Sequence, residues 1–207
     1  RLGKAVLASG DTATLDFAGD GLIQIAISDG VTKQLVKNTG TIRAEGGVVQ
    51  LTAAQARQQV DSLISNTGSI VARSAAGHAS RITIDNQRGS IQSTGTIDAS
   101  NMSGGKGGDI SISGSFVSLG GIIAADGADG GTLRVDAATL SLADMISARG
   151  WLRYGGEVSI TTQTTWETST SVIDVSGDAF GGSIRHVAEQ QIISSGSALA
   201  NSAHGIG

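Results

Sequence analysis

"TGTIDASNMSGGKGGDISISG", residues 94–114, holds six glycines, no proline, and two short runs that alternate apolar with small polar residues. Taken alone it fits a flexible linker, a calcium-binding glycine repeat or one turn of a periodic structure. The rest of the chain decides between them. The motif Gly-x-Ile-x-Ala recurs as "TGTIRAEGG" (39–47), "TGSIVARSA" (67–75) and "TGTIDASNM" (94–102). Weaker copies follow in "GGIIAADGA" (120–128), "DMISARG" (144–150), "SVIDVSG" (171–177) and "GSALANS" (196–202). The anchors Ile42, Ile70, Ile97, Ile123, Ile146, Ile173 and Leu199 lie 23–28 residues apart.

Two further ladders keep the same step. One reads Gly-Gly, any residue, apolar, any residue, apolar: "GGVVQL" (46–51), "GGDISI" (107–112), "GGTLRV" (130–135), "GGEVSI" (155–160) and "GGSIRH" (181–186), with "ASRITI" (79–84) in the gap. The other is "GSIQS" (89–93), "SFVSL" (115–119), "TLSLA" (139–143) and "QIISS" (191–195). Strands this short bury nothing alone. Stacked coil on coil at about 4.8 Å, each pairs in parallel with its equivalents, and the inward Ile, Leu and Val form columns. Glycine supplies the corners. The fold class expected is all-β: a right-handed parallel β-helix, or solenoid, with three short strands per coil. Residues 37–207 carry the repeats, and residues 1–36 supply lead-in strands or a first coil. The absence of proline suits a chain whose N–H groups are committed to ladders.

One segment departs from the pattern. "LTAAQARQQVDSLIS" (51–65) places Ala56, Val60, Leu63 and Ile64 at helical spacing, with Thr52 and Gln55 as a capping box. A short inserted helix is expected over residues 53–64.

Composition narrows the function. Charged residues are 15% of the chain and the net charge is −4, which gives no basic field for nucleic acid or an anionic membrane. No run of 18 apolar residues predicts a membrane-spanning helix. The lack of cysteine rules out disulfides and thiolate metal sites. "GGKGGDISI" (104–112) is close to a calcium nonapeptide, but that motif binds as consecutive nine-residue repeats, and here the copy is single. "ADGADGG" (125–131) and "GDAFGG" (177–182) offer one or two carboxylates each, too few oxygen ligands for more than loose surface binding of an ion. No metal and no cofactor is expected. The residue after each anchor, read as outward, runs Arg43, Val71, Asp98, Ala124, Ser147, Asp174. Asp98 and Asp174 then stand three coils apart, about 14 Å, beyond the separation of a glycosidase carboxylate pair. His78, His186 and His204 have no triad spacing. No catalytic residues are expected. The one chemically dense stretch is "SARGWLRYGG" (147–156). Its Arg149, Trp151, Arg153 and Tyr154 could stack on sugar rings and bond their hydroxyls, or simply cover a corner.

"GKAVLASGDTATLDFAGDGLIQIAI" (3–27) followed by "GGVVQLTAAQARQQVDSLISNTGSIVA" (46–72) resembles the filamentous haemagglutinin family of exoproteins. The resemblance is strongest over residues 3–72, and its motifs specify a scaffold. It implies a β-helical segment of a large protein that is secreted or held on the outer surface of a Gram-negative bacterium by two-partner secretion. In that family such segments serve cell adhesion and biofilm formation. The implied role is a structural shaft following the secretion domain. The alternatives are a carbohydrate- or receptor-binding adhesin surface and the shaft of a contact-dependent toxin delivery protein. The implied partners are an outer-membrane transporter acting on the parent chain and a glycan or protein of a host or neighbouring cell. The family's secretion domain is rich in Asn-Pro, and this chain has no proline. The transporter-recognised segment is therefore expected elsewhere in the parent. The glycine corner at "NSAHGIG" (201–207) predicts continuation into further β-helix, and self-association of the 207 residues alone.

Overall fold

The computed structural model describes residues 3–9, 12–15, 23–26, 33–53, 61–73 and 80–205. Every described element is a strand. In chain order they are β1 (Lys4–Ser9), β2 (Thr12–Leu15), β3 (Ile23–Ala26), β4 (Lys33–Asn38), β5 (Thr41–Arg43), β6 (Val48–Ala53), β7 (Asp61–Asn66), β8 (Ser69–Val71) and β9 (Arg81–Ser93). They continue as β10 (Thr96–Asp98), β11 (Asp109–Leu119), β12 (Ile122–Ala124), β13 (Thr132–Leu142), β14 (Met145–Ser147), β15 (Glu157–Glu167), β16 (Val172–Asp174), β17 (Ser183–Ser194) and β18 (Ser197–Leu199). Apart from the antiparallel pair β2–β3, all pairings are parallel. They build one nine-stranded and one seven-stranded sheet, stacked as a β-solenoid.

The anchor column forms as the spacing predicts. Ile42 pairs with Ile70, Ile70 with Ile97, Ile97 with Ile123, Ile123 with Ile146 and Ile146 with Ile173. The next partner is Ala198, so the last anchor lies one residue before Leu199, which pairs with Asp174 and is partly exposed. The step from Ile173 is therefore shorter than the motif match gave. Seven stacked members make six intervals, or about 29 Å along the axis. The long sheet carries parallel columns: Val49, Ile82, Ile110, Leu133, Val158, and beside them Leu51, Ile84, Ile112, Val135, Ile160. All ten are almost completely buried. Burying such side chains contributes about 1.5–3 kcal/mol each before conformational entropy is subtracted.

The second and third ladders of the sequence run into one strand. β9, β11, β13 and β15 each cover both, so a coil has one long and one short strand where three were expected. The corner between them survives as a change of phase. In β11, Ile110, Ile112 and Gly114 face inward, then Val117 and Leu119, with the register against β9 shifting between Gly114 and Phe116. The first two coils interrupt the long strand at this same corner. β1 pairs with β6 and β4 with β7, so the described part of residues 1–36 forms a first coil, with the β2–β3 pair inserted in it.

The helix expected over 53–64 is corrected at both of its ends. Ala53 closes β6, and Asp61–Ile64 belong to β7, where Ile64 pairs with Ile91 and is fully buried. Residues 54–60 of that expectation lie outside the described residues. Ile64 precedes Ile91 by 27 residues, the same step as Ile70 to Ile97, so the repeat outweighs the local helical spacing.

The column read as outward is also corrected. Val71, Asp98 and Ser147 are buried. Ala124 and Asp174 are half-buried, and Arg43 alone is exposed as expected. The three-residue strands end in a tight corner, and from the second coil on the chain folds partly or wholly over the residue after the anchor. The alanine that follows is buried too: Ala44, Ala72, Ala99, Ala125 and Ala148, then Val175. Backbone N–H groups of Ala72, Ala99, Ala125 and Ala148 donate to the next coil at 2.8–2.9 Å. The second glycine of each pair closes the corner by donating back: Gly108 to Ala99, Gly131 to Ala125, Gly156 to Ala148 and Gly182 to Val175, at 2.7–2.8 Å.

Candidate functional site

The dense stretch falls on the corner between the short strand and the Gly-Gly pair, the part of the coil that varies most in length. Successive corners stack through Gly127, Gly150, Gly177 and Ser202, paired in parallel. Arg149, Trp151, Arg153 and Tyr154 therefore lie on one edge of the solenoid. The side chains of Arg149, Arg153 and Tyr154 are directed at the coils above and below.

Arg149 lies between two carboxylates, with Nη2 3.6 Å from Asp126 Oδ2 and Nε 4.0 Å from Asp174 Oδ2. Asp126 Oδ1 also accepts the Arg149 backbone N–H at 2.7 Å and the Ser147 hydroxyl. Arg153 meets Asp129 with both forks, Nε donating to Oδ1 at 3.1 Å and Nη2 to Oδ2. Its guanidinium sits 5.8 Å from the centre of the Tyr154 ring. Tyr154 stacks on Phe180 of the next coil, with centroids 5.3 Å apart and planes within 14°. The ring thus contacts Phe180 and a cation, two attractive arrangements that also fix the corner.

Trp151 has a different setting. Its backbone N–H is tied to the Gly127 carbonyl at 3.0 Å, but its side chain is half exposed. It borders a cleft of about 380 Å³ shared with Asp126, Arg149 and Asp178. Asp178 is itself paired with His204, Oδ1 to Nδ1 at 2.7 Å. A second, wider cleft of about 550 Å³ runs over the paired glycines, edged by Lys106, Asp129, Tyr154 and Glu157. Asp109, from the nonapeptide-like run, begins β11 and faces Arg81 at 3.5 Å. The described residues contain no cluster of three or more His, Asp or Glu able to hold a metal ion.

Two polar features escaped the sequence reading. The first is a buried side-chain ladder: Asn38 Nδ2 donates to Asn66 Oδ1 at 2.8 Å, and Asn66 Nδ2 donates to Ser93 Oγ at 3.1 Å. Its signal was the residue before each Thr-Gly, Asn in "NTGTIRA" and "NTGSIVA" and Ser in "STGTIDA". The second is a hydroxyl, imidazole and carboxylate group inside the last coils, formed by Thr162, Thr165, Glu167 and His186. "TTQTTWE" (161–167) continues the third ladder with polar residues, so an apolar search passes over it.

No family model, no curated protein and no solved structure matches this chain.

Proposed function

We propose that this chain is a rigid shaft segment of a large bacterial protein that is secreted or displayed on the outer cell surface, and that it carries no catalysis of its own. The observation behind this reading is where the corner chemistry goes. Arg149, Arg153, Tyr154, Asp126 and Asp129 all bond to neighbouring coils. A surface whose charged and aromatic groups brace adjacent coils suits a load-bearing rod, with adhesive or toxic function carried by another part of the parent chain. The filamentous haemagglutinin resemblance fits the same role, including export through an outer-membrane transporter.

The test is to remove whole coils from the parent chain displayed on cells. Electron microscopy should show a filament shortened by about 4.8 Å per coil, with tip-dependent adhesion retained. Loss of all adhesion on removing any one coil, with the filament otherwise intact, would overturn the reading. The half-exposed Trp151 beside the Arg149 and Asp178 cleft favours a second reading, a glycan- or receptor-binding surface. Glycan-array binding by the 207-residue chain, abolished by Trp151→Ala at unchanged thermal stability, would establish it in place of the first.

A further inference from the structure

The interior of the solenoid changes character in its last coils. The column Leu51, Ile84, Ile112, Val135, Ile160 continues into His186. Beside it, Ile64, Ile91, Val117 and Leu140 give way to Thr165, and Leu119 and Leu142 to Glu167. Ala137 gives way to Thr162. The four polar groups touch in series. Thr162 Oγ1 lies 2.7 Å from Thr165 Oγ1, Thr165 Oγ1 lies 2.9 Å from His186 Nε2, and His186 Nδ1 lies 3.1 Å from Glu167 Oε1. Ser194 donates its hydroxyl to Glu167 Oε2.

Burial makes this series consequential. Thr165 is fully buried, and the side chains of Glu167 and His186 are 8% and 15% exposed. Glu167 Oε1 is closed to solvent and accepts no aligned hydrogen bond, and the His186 imidazole lies beside it with Nδ1 at 3.1 Å. A carboxylate oxygen out of water needs a donor. Nδ1 of His186 must therefore carry a proton, and the neutral ring leaves Nε2 free to accept from the Thr165 hydroxyl. The Thr165 hydroxyl then has both partners, and the proton on Nδ1 faces the Glu167 carboxylate at 3.1 Å.

We propose that His186 is a proton-responsive fastener, which holds β17 on β15 while neutral and loosens that coil from the stack when protonated. Protonation makes both ring nitrogens donors. The Thr165 hydroxyl must then turn away towards Thr162, and a cation is placed in a column that is otherwise apolar. Desolvation accordingly pulls the His186 pKa below its usual value, and the charge and hydrogen bond of Glu167 offset this only in part. With the folded value lowered, this contribution to stability is present above the unfolded histidine pKa. It is lost as pH falls through the folded value. Other charged groups on the surrounding strands do not compete. Glu157 on β15 and Arg185 and Glu189 on β17 lie on the exposed phase. Asp174 on β16 is committed to the Ser176 N–H and to Arg149.

Hydrogen exchange on the whole chain tests this, comparing about pH 7.5 with about pH 5 after correction for intrinsic rates. Protection of β15 and β17 should fall by about tenfold or more in acid, while β9 and β11 keep theirs. His186→Leu, which restores the apolar column, should remove that dependence. The same acid loss in His186→Leu, equal loss in β9 and β11, or no loss at all would each overturn the proposal. Ring-proton titration of the unmodified chain by NMR gives a readout that does not depend on the variant folding. His186, assigned by comparison with His78→Ala and His204→Ala, should titrate below about 6.5, and lower still in Glu167→Gln. Titration at or above that value would refute the fastener.

Discussion

At the scale of single residues, the corners are set by what they exclude. A Cβ on Gly155 would land on the Val175 carbonyl oxygen and within 2.5 Å of the Gly182 nitrogen, whereas one on Gly40 would meet nothing within 4 Å. Gly155→Ala should therefore destabilise the chain by about 3 kcal/mol or more, and Gly40→Ala by under about 0.5 kcal/mol, in paired denaturant titrations. Asp98 gives a second contrast, because the corner folds over it. Its Oδ2 accepts from Arg73 Nε at 2.7 Å and its Oδ1 from the Ser100 N–H at 2.9 Å. Asp98→Ala should cost about 1–3 kcal/mol by the same assay, where a solvent-facing aspartate would cost almost nothing. Asp85 runs the other way. Its Oδ1 is buried without a partner, and burial raises its carboxyl pKa. A raised acid pKa means that the ionised form weighs against folding at neutral pH, and that the penalty fades as pH falls through the folded value. Asp85→Asn should raise the thermal midpoint by about 2 °C near neutrality and by less in acid.

At the scale of elements, what could be read in advance was what repeats with the coil. The apolar ladders fixed register to the residue from Ile42 to Ile173, because a one-residue slip would turn a column of isoleucines towards solvent. Where a coil varied, the sequence misled. Leu199 answered the motif better than Ala198, although only Ala198 lies opposite Ile173. Asp61–Ile64 showed helical spacing because Leu63 and Ile64 are adjacent apolar residues, and only pairing with β9 decides which of them faces in. The corner candidates were legible as a cluster, but their partners Asp126, Asp129 and Phe180 lie one coil away, at 23–26 residues in sequence. The asparagine ladder was missed for the opposite reason: it repeats, but in a polar residue type that an apolar search ignores. Its middle member carries the strain of removal. Asn66→Ala would take the donor from the buried Ser93 hydroxyl and leave the Asn38 amide only its longer bond to the Ser69 carbonyl, at 3.3 Å. A loss of about 1–3 kcal/mol is expected, with β4 and β7 losing exchange protection before β11.

At the scale of the molecule, stability is distributed along one dimension. Among the described residues each coil bonds only to the coil on either side, and of the strand pairings β9–β11, β11–β13, β13–β15 and β15–β17 each is a complete ladder of its own. Nothing in such a stack requires a particular number of coils, provided that register is kept. Deleting residues 97–122 joins Thr96 directly to Ile123, which takes the place of Ile97 in the anchor column, and takes out one whole turn. The Arg73–Asp98 contact and one set of ladder bonds go with it, but each remaining column still continues from coil to coil. This variant should fold, with a parallel-sheet circular dichroism spectrum per residue like that of the intact chain and a body about 4.8 Å shorter. Deleting only residues 97–109 removes half a turn. It sets the short strand of one coil against the long strand of the next and points inward residues at corners. That variant should lose cooperative unfolding altogether, because no column crosses the join. Comparable stability of the two deletions would mean that the coils do not act as nearest-neighbour units. Collapse of both would mean that the corner contacts between coils, rather than the apolar columns, hold the stack together.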